Sequence, residues 1–282
     1  MNERLNLMRG ITNLGFPEAL RWRGDWLWFS DMFTGKVMRV NLDESMDTVI
    51  DVNKGGPVMP GGLGWLPSGE LIVVDCLERK LLKLTKELNL ILYADLSELT
   101  TYPLNDMYID PYGNVWVGGY GFDPEIDLPR PSPLFRVFDN GRVSLSVDKF
   151  IFPNGCEGFG DQLALAETFA DRVSFLNDQG KILEQFHLPS GYGPDGISHD
   201  KHGNLYIASA FLGTLDCLSN DGKFYNVIQI PRLDDNFNSG GPLGVFDCAA
   251  HPSLPVLAYA SASANENYAR LNKTGEIHLI NI

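Results

Sequence analysis

Apolar positions along the chain fall into short runs, and six of these runs share one design: WLWFSD (26–31), ELIVVD (70–75), NVWVGG (114–119), QLALAE (162–167), NLYIAS (204–209) and VLAYAS (256–261). Apolar runs of this length, bounded by turns, predict buried strands. Turn chemistry precedes four of them, as Arg23-Gly24-Asp25, Pro67-Ser68-Gly69, Pro111-Tyr112-Gly113 and Lys201-His202-Gly203. Each run follows a less apolar strand. A third strand comes after it, reading GKVMRVNL, RKLLKLTK, SPLFRVFD, DRVSFLND, GTLDCLSN and GEIHLINI in turn. A less regular fourth, such as DTVIDV (47–52) or YNVIQI (225–230), leads into the next unit. No segment sustains a helical period, which removes the α/β architectures.

The unit repeats at a period of roughly 45 residues, that of a β-propeller blade. The expected fold is therefore all-β, a six-bladed propeller forming one domain over residues 1–282. The sixth unit ends with its third strand, GEIHLINI, and so lacks a fourth. The segment around Arg4 to Thr12, left without a blade, is expected to supply that strand and close the ring, because an open ring would expose two unpaired edges.

The triplets that open the units are Pro17-Glu18-Ala19, Gly61-Gly62-Leu63, Leu104-Asn105-Asp106, Pro153-Asn154-Gly155, Pro194-Asp195-Gly196 and Pro242-Leu243-Gly244. In a closed ring their second residues meet near the axis. Four of those six are carboxylate or amide, namely Glu18, Asn105, Asn154 and Asp195, while Gly62 and Leu243 interrupt the set and leave room for a substrate. No His or Cys stands at an equivalent position, so the set suits calcium, magnesium or manganese ahead of zinc or copper. Two carboxylates balance a divalent charge, and the amides add neutral oxygens.

With 44% hydrophobic and 21% charged residues the chain can bury a large core. A formal net charge of -14 argues against nucleic acid and anionic membrane as partners, leaving a small-molecule substrate, with the oligomeric state open. No stretch approaches the roughly 20 apolar residues of a membrane span, and the opening MNERLNLMRGITNLGFPE lacks the apolar run of a secretory signal, so cytoplasmic residence is the expectation. Cys76, Cys156, Cys217 and Cys248 are scattered and read as buried thiols. There is no G-x-S-x-G, and the five histidines lie in strand ends and turns, where they read as structural or solvated. Asp31, Asp75 and Glu167 end three of the apolar runs, a repetition that points to holding loops.

The starts F-P-E-A-L-R-W, L-N-D-M-Y-I-D-P-Y-G-N-V-W-V, P-N-G and G-P-D-G-I-S-H-D-K-H-G-N-L-Y-I-A resemble the regucalcin (senescence marker protein)/gluconolactonase family of six-bladed propeller lactonases, over essentially the whole chain. The resemblance implies metal-dependent hydrolysis of a lactone. Glu18, Asn154 and Asp195 would coordinate one divalent cation (calcium first, with magnesium, manganese or zinc also compatible). Asn105 would bind the metal, its water or the substrate, and Asp195 would serve as the base. Sugar-lactonase members carry an Arg two residues before the Asn of the third repeat; here that residue is Pro103, and Ala19 replaces the usual Gly after the Glu.

Loops after the apolar runs carry Met32, Phe33, Tyr120, Phe122, Phe169 and Phe211, which with Asp106 form the expected substrate pocket. As a set they lean towards an apolar or aromatic lactone. Loops 121–134 and 232–242 are candidate lids. The alternatives are a same-fold propeller catalysing a non-hydrolytic cyclisation or elimination, and a non-enzymatic calcium-binding propeller.

Overall fold

In the computed structural model, residues 10–43, 45–231 and 240–282 are described, and they form six four-stranded sheets arranged as the blades of a β-propeller. The first five blades are each continuous in sequence. The sixth is completed from the other end of the chain, with Ile11–Leu14 pairing antiparallel to Gly275–Asn281 as the outermost strand. The closing strand thus lies slightly later than the Arg4–Thr12 segment expected, and residues 1–9 fall outside the described residues.

Alternating side chains of the second strands explain why these runs are apolar throughout. Val73 packs towards the first blade with Trp28 and Ala19, whereas Ile72 and Val74 pack towards the third with Met107 and Val117. Comparable clusters fill the other blade junctions, for instance Leu27, Phe29, Ala258 and Ile277 between blades one and six. A strand buried on both faces has no polar side to alternate with, so the period of two disappears from its sequence. All four cysteines sit free and buried, as expected.

The innermost strands carry the feature that positions the site. Each is interrupted by a register shift close to its opening triplet: between Glu18 and Arg21, Pro60 and Leu63, Leu104 and Met107, Pro153 and Cys156, Pro194 and Ile197, and Val245 and Asp247. Such bulges bend a strand and re-aim the residue beside them. In the second blade Pro60 pairs with Asp75 as Pro17 pairs with Asp31, so Gly61 rather than Gly62 is the counterpart of Glu18.

One helix, Glu266–Asn272, departs from the all-strand expectation; it is inserted between the second and third strands of blade six. Asn265 caps it by accepting from the Tyr268 amide. At seven residues it is too short to impose a helical period on the sequence. Among the described residues, no helix is long and apolar enough to cross a membrane.

Candidate active site

Bulge by bulge, Glu18, Asn105, Asn154 and Asp195 are delivered to one cavity of about 150 Å³ at the end of the central channel. Asn154 and Asp195 are buried, while Glu18 and Asn105 keep partial exposure. Neither Gly62 nor Leu243 lines this cavity; from the sixth blade's inner strand the wall is supplied instead by Phe246, at that strand's bulge.

Hydrogen bonding fixes how two of the four present themselves. The Asn154 amide nitrogen donates to Thr168 Oγ1 at 3.2 Å, and Thr168 in turn donates to the Pro194 carbonyl at 2.9 Å. That chain leaves the Asn154 amide oxygen as its acceptor end. Asp195 Oδ1 is buried without any hydrogen-bond partner, which for a carboxylate is costly unless something outside the protein's own atoms meets it.

Electrostatics point the same way. Burial first, then Asp195, Asp247 and Asp106, push the Glu18 carboxyl well above its usual range. Burial, then Asp247, Asp106 and Glu266, do the same to Asp195. Two carboxylates crowded in this way favour either a proton or a cation between them. A donor set of two carboxylates and two amides, all oxygen, fits a hard divalent ion, and the orphaned Asp195 oxygen is the observation that supports the fit. Among the described residues no three His, Cys, Asp or Glu side chains form a metal cluster; this set reaches its number only through the amides.

Asp106 corrects the expectation. It does not line the cavity but turns back into the ring, where both its oxygens accept from Arg21 Nη2, at 2.8 and 2.7 Å. Arg21 also approaches Asp247 at 3.8 Å and donates to the Leu20 and Met107 carbonyls. Asp247 accepts from the Leu20 and Cys248 amides, tying the inner strands of blades one and six together. A Cβ on Gly196 would collide with Asp247, so only glycine lets the strand bearing Asp195 approach this closely. Burial and Asp106 raise the Asp247 carboxyl to about 7 against the opposing pull of Arg21.

Met32, Phe33, Tyr120, Phe169 and Phe211 line the cavity wall. Phe122 does not; it is fully buried behind the wall, edge-on to Phe152 and Phe169. Sequence reasoning missed Phe16, Phe152 and Phe246, which also line it. A signal for two of them was present, because Phe16-Pro17-Glu18 and Phe152-Pro153-Asn154 repeat a Phe-Pro step before the polar residue. Phe152 holds a positive φ of 55°, an uncommon conformation for a bulky residue, and its ring stacks near Tyr120 at 4.6 Å between centroids. Pro103 does not line the cavity; its carbonyl accepts from the Tyr120 amide at 3.0 Å and so fixes the base of that side chain. Burial first, then Glu266 and Cys76, raise the Tyr120 hydroxyl well above its ordinary range and keep it protonated.

Loop 121–134 reaches the cavity through Pro124 and is pinned by Asp127, which accepts from the Asp123 amide and from Arg130. Most of loop 232–242 lies outside the described residues. Asp31 accepts from the Phe16 amide and Thr34, and Glu167 from the Ile151 amide, Arg172 and Ser174, so these strand-end carboxylates brace loops. Among the described residues, no histidine lines the cavity.

Residues 16–237 match the family model of the SMP-30/gluconolactonase/LRE-like region, and the chain belongs to that family. A luciferin-regenerating enzyme superposes with a TM-score of 0.75 at 17% identity, covering 96% of this chain and 93% of that one. A gluconolactonase from Xanthomonas campestris gives 0.70 at 17% identity, covering 97% and 89%. Regucalcin from Agrobacterium tumefaciens, a calcium-binding protein, gives 0.70 at 16% identity, covering 97% and 94%. No curated protein matches the chain in sequence.

Proposed function

We propose that this member of the SMP-30/gluconolactonase/LRE-like family hydrolyses lactones with one divalent cation, and that its substrate is an apolar or aromatic lactone. The observation that carries the reading is the pairing of an orphaned, buried Asp195 oxygen with Glu18 and two amides at the base of an aromatic cavity. Glu18, Asn154 and Asp195 would hold the ion, with Asn105 directed at the ion or the substrate. Bound there, a divalent cation supplies Lewis-acid polarisation of the lactone carbonyl and acidifies water. Calcium is the first candidate, consistent with the all-oxygen donors.

The chain's own residues would divide the remaining work. Asp195, which lines the cavity and keeps one oxygen without a hydrogen-bond partner, would take a proton from the attacking water. The Asn154 amide oxygen is aimed by its bond to Thr168, so it enters the reaction already oriented. Phe16, Phe33, Phe169 and Phe246 bury the apolar part of the substrate and exclude bulk water. No basic side chain lines the cavity among the described residues, and Pro103 stands where sugar-lactonase members carry Arg, both of which disfavour a polyhydroxylated substrate.

The test is proton release from a panel running from gluconolactone to aryl and macrocyclic lactones, with chelator and then with calcium, magnesium or manganese. Metal-dependent turnover strongest on the apolar members is expected. Tight metal binding with no turnover of any lactone would overturn the hydrolytic reading in favour of non-hydrolytic chemistry or a binding role.

A further inference from the structure

The charges on the cavity wall are of one sign. Among the described residues, its ionisable acids and bases reduce to Glu18, Asp195 and Glu266, with no Lys, Arg or His. A divalent cation at the base would be balanced by Glu18 and Asp195, which leaves Glu266 as a rim carboxylate with no ion-pair partner among the described residues. Glu266 comes from the inserted helix of blade six, an addition that no other blade carries among the described residues. It accepts no hydrogen bond from a donor among the described residues. Burial and then Glu125 raise its carboxyl, although the residue as a whole is exposed. The single basic residue of loop 121–134, Arg130, is committed to Asp127 and Tyr102.

Below that rim the wall is a girdle of aromatic rings. Phe169 sits 5.6 Å from Phe211 and 5.1 Å from Phe152 between ring centroids, and Phe152 lies 4.6 Å from Tyr120. Aromatic faces attract cations through their quadrupoles, most strongly where water is excluded.

We propose that the cavity recognises a cationic organic substrate, an ammonium or quaternary ammonium group attached to an aromatic lactone, with Glu266 and the aromatic girdle reading the positive charge; this rests on the lactonase reading. Glu266 acts in specificity: it selects among lactones by charge and takes no part in the bond-breaking step. The same arrangement repels substrates bearing carboxylate or phosphate.

The experiment uses three aryl lactones of one skeleton whose side group is trimethylammonium, tert-butyl or carboxylate, with kcat/KM measured for wild type and for Glu266→Gln in saturating calcium. The ammonium compound is expected to exceed the neutral one by about tenfold and the carboxylate one by about a hundredfold. Glu266→Gln is expected to reduce the ammonium-to-neutral ratio by about tenfold. Equal rates across the series, a preference for the carboxylate, or an unchanged ratio in the variant would overturn the proposal. Calorimetry with phenyltrimethylammonium, which cannot be hydrolysed, separates this from the lactonase reading. Binding weakened by Glu266→Gln sustains the charge recognition even if no lactone turns over, and absence of binding to wild type removes it. Should Glu266→Gln fail to fold, the charge series and the calorimetry on wild type decide the matter alone.

Discussion

Two tiers of charge lie next to each other on the same inner strands, and they are treated oppositely by the fold. The inner tier, Arg21 with Asp106 and Asp247, is closed on itself: the guanidinium takes both Asp106 oxygens, and Asp247 is satisfied by two backbone amides. The cavity tier, Glu18 and Asp195 with the two asparagines, has no cation of its own, and one Asp195 oxygen is left bare. Buried charges that a protein keeps for structure are paired. Those left unpaired in a cavity mark the place where something else binds. On the proposed reading, the inner tier holds the strands and the cavity tier carries the chemistry.

The sharpest way to break this contrast is to neutralise each tier in turn. Asp195→Asn is expected to lower lactone hydrolysis by at least about a hundredfold, while the cation-free protein melts at a higher temperature because a crowded buried carboxylate has gone. A lower melting temperature would place Asp195 with the structural tier. Arg21→Met is expected to do the reverse, destabilising the fold by about 3–5 kcal/mol, since it leaves Asp106 and Asp247 buried without their cation. Denaturant unfolding measures this, and a change within error would show that the inner tier is not held by Arg21.

A pH series sharpens the same point with a smaller effect. Glu18, Asp195 and Asp247 all titrate higher in the folded chain than in the unfolded one, Asp247 at about 7 against a usual 3.8. Between the unfolded and folded values the folded chain retains protons that the unfolded chain has released. Stability of the cation-free protein therefore falls as pH rises through that interval and levels off once the folded groups have ionised. Saturating calcium should flatten the fall. Melting temperatures that climb over the same interval without metal would contradict the raised carboxyls. The smallest effect expected is that of Phe211→Ala, at the partly exposed end of the aromatic wall. It should raise KM for an aryl lactone several-fold, in line with the loss of a modest aromatic contact, with kcat nearly unchanged. A fall in kcat instead would put Phe211 close to the reacting atoms.

The ring was legible because every blade repeats one burial pattern, and a strand buried on both faces writes an unbroken apolar run, as Ile72-Val73-Val74 does. The convergence of Glu18, Asn105, Asn154 and Asp195 was equally readable, since equivalent positions in equivalent blades must face one axis. What was hidden depends on departures from equivalence. The second blade's pairing starts one residue earlier than its triplet suggests, and the sixth blade bulges later than the others, so Gly61 takes the place expected for Gly62 and Phe246, three residues on, supplies the wall expected of Leu243. Asp106 neighbours Asn105, and alternation across a bulge turned it away from the cavity towards Arg21, a partner 85 residues distant that no local pattern announces. Glu266 sits on a helix of two turns that only one blade possesses, so neither repeat nor period could reveal it.

The most direct test of the unpaired tier is calorimetric titration of calcium into chelator-stripped wild type and Asp195→Asn. One ion bound per chain in wild type, and none in the variant at the same concentrations, is the predicted result. Absence of binding to wild type, or equal binding to both proteins, would contradict the assignment of the cavity carboxylates to a cation.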